Sequence, residues 1–184
     1  NISVRTSVMG AAHFSGPLWF SLAAVSTETS LEPTIHDSES MHAWTTVDVD
    51  LFLDSVADAP YLDVITNATG LEDSEIALSV VSLSYPDMDG SEEHWVEVWV
   101  DPDEVSSVSA GGETLTAQTE QGQGWHKFTV ALEDVYGITL LPAEHWCGET
   151  LVQIYAMAEE LSNGDRAFEV ATIDVMVQAV ADPP

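Results

Sequence analysis

Trp95-Val96-Glu97-Val98-Trp99-Val100 alternates without a break, with valine at every second position and tryptophan, glutamate and tryptophan between. Successive side chains of a β-strand point to opposite faces, so the run predicts a half-buried strand. Its valines face a core, and both indoles with Glu97 face outward. Runs of the same kind continue on either side. Strands are expected at 61–66, 76–84, 94–100, 114–118, 125–131, 150–158 and 167–178. Asp89-Gly90, Gly111-Gly112, Gly122-Gln123-Gly124 and Asn163-Gly164 supply turn chemistry between them. One short helical stretch, 131–136, precedes Gly137, which is expected to cap it.

About seven strands in roughly 125 residues, with turns at regular spacing, predict an all-β chain folded as an antiparallel β-sandwich of immunoglobulin or cadherin type. The paired cysteines of antibody domains are missing, because Cys147 stands alone and reads as a small buried hydrophobe.

The chain also repeats itself. His13-Phe14-Ser15-Gly16 recurs as His145-Trp146-Cys147-Gly148, an offset of 132 residues, and the strand-like run from Leu18 is matched in the second copy by the run from Leu151. Val49-Asp50-Leu51-Phe52-Leu53 with Val56-Ala57-Asp58-Ala59-Pro60 recurs as Ile173-Asp174-Val175-Met176-Val177 with Val180-Ala181-Asp182-Pro183-Pro184, an offset of 124. The difference falls in 30–40, where the first copy carries a longer acidic loop. The repeat predicts a boundary near Asp58: 58–184 as one complete repeat, and 1–57 as the C-terminal part of a preceding one. Strands in 1–57 then lack a facing sheet, and are expected to pack against upstream chain or a neighbouring copy.

Asp87-Met88-Asp89-Gly90-Ser91-Glu92 places three carboxylates and a hydroxyl around a glycine turn. Oxygen-only donors on a flexible loop suit Ca²⁺, which takes ~6–8 oxygens, more than six residues supply. Glu72-Asp73, Asn163-Gly164-Asp165 and the aspartates Asp58 and Asp182 are the further candidates. The loop is not an EF-hand, since Glu92 stands where that pattern needs glycine. A solvated acidic turn is the plainer alternative.

Composition narrows the function. There are 32 acidic residues against three basic ones (Arg5, Lys127 and Arg166), a formal net charge of −29, with 45% hydrophobic residues. So acidic a surface repels nucleic acid and anionic membranes. It needs salt or bound cations to offset its self-repulsion, as in a calcium-loaded extracellular protein or a halophile's protein. No run of about 18 apolar residues is present to insert into a membrane. The opening Asn1-Ile2-Ser3-Val4 carries no basic-then-apolar leader and reads as a fragment's start, so the missing leader says little.

Val56-Ala57-Asp58, Gly70-x-Glu72-Asp73-Ser74, Asp87-x-Asp89-Gly90-Ser91-Glu92, Ser109-Ala110-Gly111, Gly122-x-Gly124-Trp125, Ala156-x-Ala158-Glu159 with Asn163-Gly164-Asp165, and Val180-Ala181-Asp182 follow one another in order. This series resembles the tandem cadherin-like or Ig-like repeats of large RTX adhesins, secreted to the bacterial cell surface by type I export. The resemblance covers 58–184 fully and 1–57 in part. It implies a structural extender, stiffened by Ca²⁺ near repeat junctions, supporting cell adhesion and contacting neighbouring repeats or copies of itself. It also implies Asp58, Glu72, Asp87, Asp89 and Asp182 as metal ligands, with Asp73, Glu92, Glu159 and Asp165 as weaker candidates. Asp58, Glu72, Asp87 and Asp89 are expected to gather at one pole. Trp95 and Trp99 depart from the pattern, since the family carries small polar residues there.

With the valines inward, Trp95 and Trp99 lie on the outer face, ~13 Å apart at ~3.3 Å per residue. By parity Trp19, Phe52, Tyr155, Met157 and Met176 also point outward. A clustered apolar set of this kind marks a protein contact, a surface covered by the chain's own loops, or a platform for a cell-surface glycan or peptide. A carbohydrate- or peptide-binding module is therefore the alternative to an extender. Catalysis has little support. The six histidines show no paired-ligand spacing, nothing supplies an oxyanion hole for a Cys147–His145 pair, and no glycine-rich phosphate loop leads into a helix.

Overall fold

The computed structural model describes residues 5, 7–11, 14–27, 42–119 and 124–181. The chain divides between Ser55 and Val56 into two units. The first is built on one long hairpin of β1 (Gly16–Thr27) and β2 (His42–Leu53), paired from Gly16↔Leu53 to Thr27↔His42.

The second unit is a two-layer antiparallel β-sandwich. Its strands are β3 (Tyr61–Val64), β4 (Asn67–Leu71), β5 (Ile76–Ala77), β6 (Val80–Ser84), β7 (Glu92–Val100), β8 (Val105–Ala110) and β9 (Glu113–Thr114). After them come β10 (Gln118–Thr119), β11 (His126–Val130), β12 (Thr139–Pro142), β13 (Gly148–Glu160) and β14 (Arg166–Gln178). One layer is a six-stranded sheet in the order β10-β11-β7-β13-β14-β4. The other holds β5-β12-β8-β9 and the pair β3-β6. The backbone bonds Ile65 N–H to Ser79 O and Leu78 N–H to Ile138 O, both 2.9 Å, bring their edges together.

The alternation at 95–100 does what the pleat requires. Val96, Val98 and Val100 are fully buried against Val108, Val130, Leu140, Val152, Ile154 and Ile173. Burying each such side chain is worth ~1.5–3 kcal/mol, so this aliphatic core is the main reason the two sheets close on each other. The first segment of the unit serves both layers. β3 pairs antiparallel with β6, and the chain then crosses to lay β4 parallel to β14, from Asn67↔Asp174 to Leu71↔Gln178. Gly70 permits the crossing, because a Cβ there would stand 2.4 Å from Ile76 Cγ1.

Three strands escape the sequence pattern: β4, β8 and β12. The expected strand at 76–84 is two short ones. The expected helical stretch is a 3₁₀ turn, Leu132–Gly137. Gly137 lies inside it and extended Ile138 (φ −72°, ψ 129°) follows, so Gly137 is not the left-handed cap expected of it. Gly90 (φ 92°) and Gly164 (φ 73°) do take the left-handed turn conformations that glycine tolerates.

The two long hairpins match position by position. Under the offsets read from the sequence, Gly16↔Leu53 maps onto Gly148↔Val177 and Trp19↔Asp50 onto Leu151↔Asp174, and both are observed pairs. Among the described residues, no helix is long and apolar enough to cross a membrane.

Candidate functional site

The pole at which the chain joins the sandwich is built from carboxylates that hold backbone amides. Ala57 N–H donates to Asp165 Oδ2 (3.0 Å), and Asp58 N–H donates to Glu92 Oε1 (2.9 Å). Glu92 opens β7 and sits opposite Glu160 at the end of β13. Leu161 N–H reaches Ser91 O, and Glu160 N–H reaches Asp165 O, both at 2.9 Å. Asp58, Asp87, Asp89, Glu92, Glu159 and Asp165 are therefore brought to one end of the sandwich.

Local chemistry explains the acidic loop. Asp87 Oδ1 accepts from Asp89 N–H (3.0 Å), and Asp89 Oδ1 accepts from Ser91 N–H (2.8 Å), two Asx turns in succession. Asp101 makes the same turn with Asp103 N–H (2.9 Å), so the turn geometry does not set 87–92 apart. Burial does. Asp87, Glu92 and Glu160 are buried at this pole, where ionised groups need compensation. Glu92 Oε2 is hydrogen-bonded to His94 Nε2 (2.9 Å), whose ring stacks on Tyr85 at 4.1 Å. Tyr85 Oη donates to Trp95 O (3.2 Å), and burial pushes its pKa up to about 12. Glu159 pairs with Arg166, which makes it a poor metal ligand. Among the described residues, no three His, Cys, Asp or Glu side chains form a group that could hold a metal ion.

Glu72 and Asp73 lie elsewhere, which corrects the expectation of a single cluster. Strand β4 runs parallel to β14 and ends beside Gln178, so Glu72 emerges at the opposite pole. There its N–H donates to Gln178 O (2.9 Å), and its carboxylate accepts from Val180 N–H. Twelve residue steps along β13 separate the poles, roughly 40 Å at ~3.3 Å per step. Asp73 takes a left-handed conformation (φ 57°), and its Oδ1 lies 3.4 Å from His145 N. Asp182 falls outside the described residues.

The second region is the outer face of the six-stranded sheet. Trp95, Glu97 and Trp99 project from β7 on that face, as the alternation requires. Glu97 lies between the indoles and accepts from both: Trp95 Nε1–H to Oε1 and Trp99 Nε1–H to Oε2, each 3.0 Å. Lys127 Nζ lies 3.4 Å from Glu97 Oε1 and 5.7 Å from the centre of the Trp99 ring. Arg166 stands 6.0 Å from the Trp95 ring. Trp99, Tyr155 and Phe168 form a tilted aromatic row with 5.9 Å between successive centroids. A cleft of about 300 Å³ is lined by Glu97, Trp99, Trp125, Gln153, Tyr155, Met157 and Phe168. Parity alone identifies Trp95, Trp99, Tyr155 and Met157. Gln153, Phe168 and Lys127 join them through cross-strand register, such as Gln153↔Trp99, Phe168↔Met157 and Lys127↔Trp99, which no single strand reveals, and Trp125 joins from the residue before β11.

No protein-family model and no curated protein matches the chain. Among solved structures, a cohesin module from a Clostridium perfringens family 33 glycoside hydrolase aligns over 68% of this chain and 100% of its own, at 9% identity and a TM-score of 0.37. So slight a likeness carries no function across, and the sandwich rests on the chain's own strand pairing.

Proposed function

We propose that the chain is part of a tandem-repeat extender, a non-catalytic spacer of a bacterial cell-surface adhesin or fibre, stiffened by Ca²⁺. The observation that carries this reading is that the second unit receives and releases the chain at opposite poles. The Val-Ala pairs 56–57 and 180–181 stand one at each, and each time a carboxylate grips the backbone: Asp165 and Glu92 at Ala57 and Asp58, Glu72 at Val180. A module threaded from end to end, with linkers fixed at both ends, transmits length. The ordered motif series resembling RTX adhesin repeats supports the same reading, and its natural partners are neighbouring repeats or further copies.

The donor chemistry suits Ca²⁺. Asp58, Asp87, Asp89, Glu92 and Asp165 offer only oxygen, and Asp87 and Glu92 are buried among further carboxylates. A bound cation would supply the compensating charge that a chain with three basic residues lacks. Glu72 belongs to the opposite pole on this reading.

Thermal melts of the full chain in calcium and in chelator, at matched ionic strength, test it. A ligand that binds only the folded state adds roughly 2.7 kcal/mol at 100 times its Kd, several degrees of Tm. Asp89→Ala should abolish most of that calcium response, whereas Asp103→Ala, an equal loss of charge, should keep it. Equal responses in the two variants would reduce the effect to diffuse screening, and identical melts with and without calcium would remove the ion altogether.

A further inference from the structure

We propose that the aromatic cleft on the outer face of the six-stranded sheet binds a neutral carbohydrate, stacking a pyranose ring on Trp99 and Tyr155. The inference does not depend on the extender reading. It starts from Glu97, which is buried yet projects from the outward side of β7. Its two oxygens fix both flanking indoles by their N–H groups, so the rings are held before any ligand arrives. Preorganised rings lower the ordering cost of binding.

Charge selects the ligand. Two of the chain's three basic residues, Lys127 and Arg166, stand on this face, and their ion-pair partners Glu97 and Glu159 stand beside them. With Glu93, which sits opposite Glu159, the patch holds three carboxylates against two cations, and is close to neutral on a molecule of net charge −29. A ligand cation would be repelled by the protein's own Lys127 and Arg166, which already stand 5.7 and 6.0 Å from the Trp99 and Trp95 rings. An anion would meet the field of the whole protein. A neutral ligand with an apolar C–H face and a rim of hydroxyls fits what remains. Gln153, which lines the cleft, accepts from Tyr155 Oη through Oε1 (3.2 Å), and its amide nitrogen is a double donor of the kind a sugar hydroxyl accepts from. The volume, about 300 Å³, is at the small end of ligand pockets and suits a ring-sized group.

The test is a glycan array probed with the full chain. It should hold neutral hexose and N-acetylhexosamine oligomers, sialylated and sulfated glycans, and, alongside, neutral peptides and trimethylated lysine. Hits are then titrated by tryptophan fluorescence. The proposal expects binding of a neutral glycan that weakens about tenfold or more in Trp99→Ala and in Tyr155→Phe with Gln153→Ala. It expects unchanged binding in Trp44→Ala, an exposed indole of the first unit. Far-ultraviolet circular dichroism confirms that each variant folds. Binding of peptides alone, of trimethylated lysine alone, or of charged glycans alone overturns the proposal, as does a wild-type array without any neutral-glycan signal. Neutral-glycan binding that survives Trp99→Ala and the Tyr155 and Gln153 pair places the site elsewhere and overturns it equally.

Discussion

Hairpins β1–β2 and β13–β14 share their register and an opening glycine, yet they end in different environments. Ile154 is fully buried, while its counterpart Leu22 is 45% exposed; Val175 is 1% exposed, and its counterpart Leu51 is 37% exposed. Local pattern and turn chemistry suffice to draw the hairpin in both units. Among the described residues, the second unit alone adds the other layer, with Val108, Ile138 and Leu140 in one core with the inward side of β13 and β14. Among the described residues, no sheet covers the corresponding face of β1 and β2. The pairing of strands and the burial of their faces are thus separable: hydrogen bonds define the ribbon, and area removed from water stabilises it.

The largest consequence is kinetic protection. An isolated two-stranded ribbon is marginal in water, whereas central strands of a sandwich open only with the whole unit. Amides of 148–160 and 166–178 should exchange orders of magnitude more slowly than those of 16–27 and 42–53, measured by hydrogen exchange on peptides from each hairpin. Equal protection would mean that the first hairpin is covered as fully as the second.

A smaller effect follows for side chains. Ile154→Ala should cost the second unit about 2–5 kcal/mol, the usual range for a buried aliphatic truncated to alanine. Leu22→Ala, on the matched position, should cost under about 1 kcal/mol, because little area leaves water there. Denaturant unfolding of both variants checks the pair, and similar losses would erase the contrast.

How much of this was legible beforehand depends on which contacts a pattern encodes. Alternation at 95–100 reports one strand and its two faces, and those faces are as read. The matched hairpins were visible as well, because strand sequence and offset survive in the linear chain. The crossing between layers was not. Asn67-Ala68-Thr69-Gly70-Leu71 has neither clean alternation nor a row of β-branched residues, and its parallel partner lies over a hundred residues away. Missing that crossing is what misplaced Glu72, since the pole on which a residue emerges follows from strand direction. The aromatic cleft was half legible for the same reason: Trp95 and Trp99 share a strand, but Gln153 and Phe168 meet them only through register. Strands β8 and β12 are short and mixed, Val-Ser-Ser-Val-Ser-Ala and Thr-Leu-Leu-Pro, and their burial comes from the layer they join.

The smallest effect is carried by a single hydroxyl, and it also tells the units apart. All four tyrosines (Tyr61, Tyr85, Tyr136 and Tyr155) belong to the second unit, so the first has none to titrate. Burial raises the pKa of Tyr85 from 10.0 to about 12. Between those values the unfolded chain releases the phenolic proton while the folded chain keeps it. The unfolded state then binds fewer protons, so stability falls as pH rises through the window and is unaffected by this group below pH 10. Tyr85→Phe keeps the ring on His94 but loses the bond to Trp95 O, at about 1 kcal/mol. The variant should therefore be the less stable protein at pH 9, and its deficit should shrink as pH approaches 12. Urea unfolding followed by tryptophan fluorescence across this range measures the difference, and any contribution from Lys127 is common to both proteins. Parallel losses in wild type and variant would assign the alkaline sensitivity to another group.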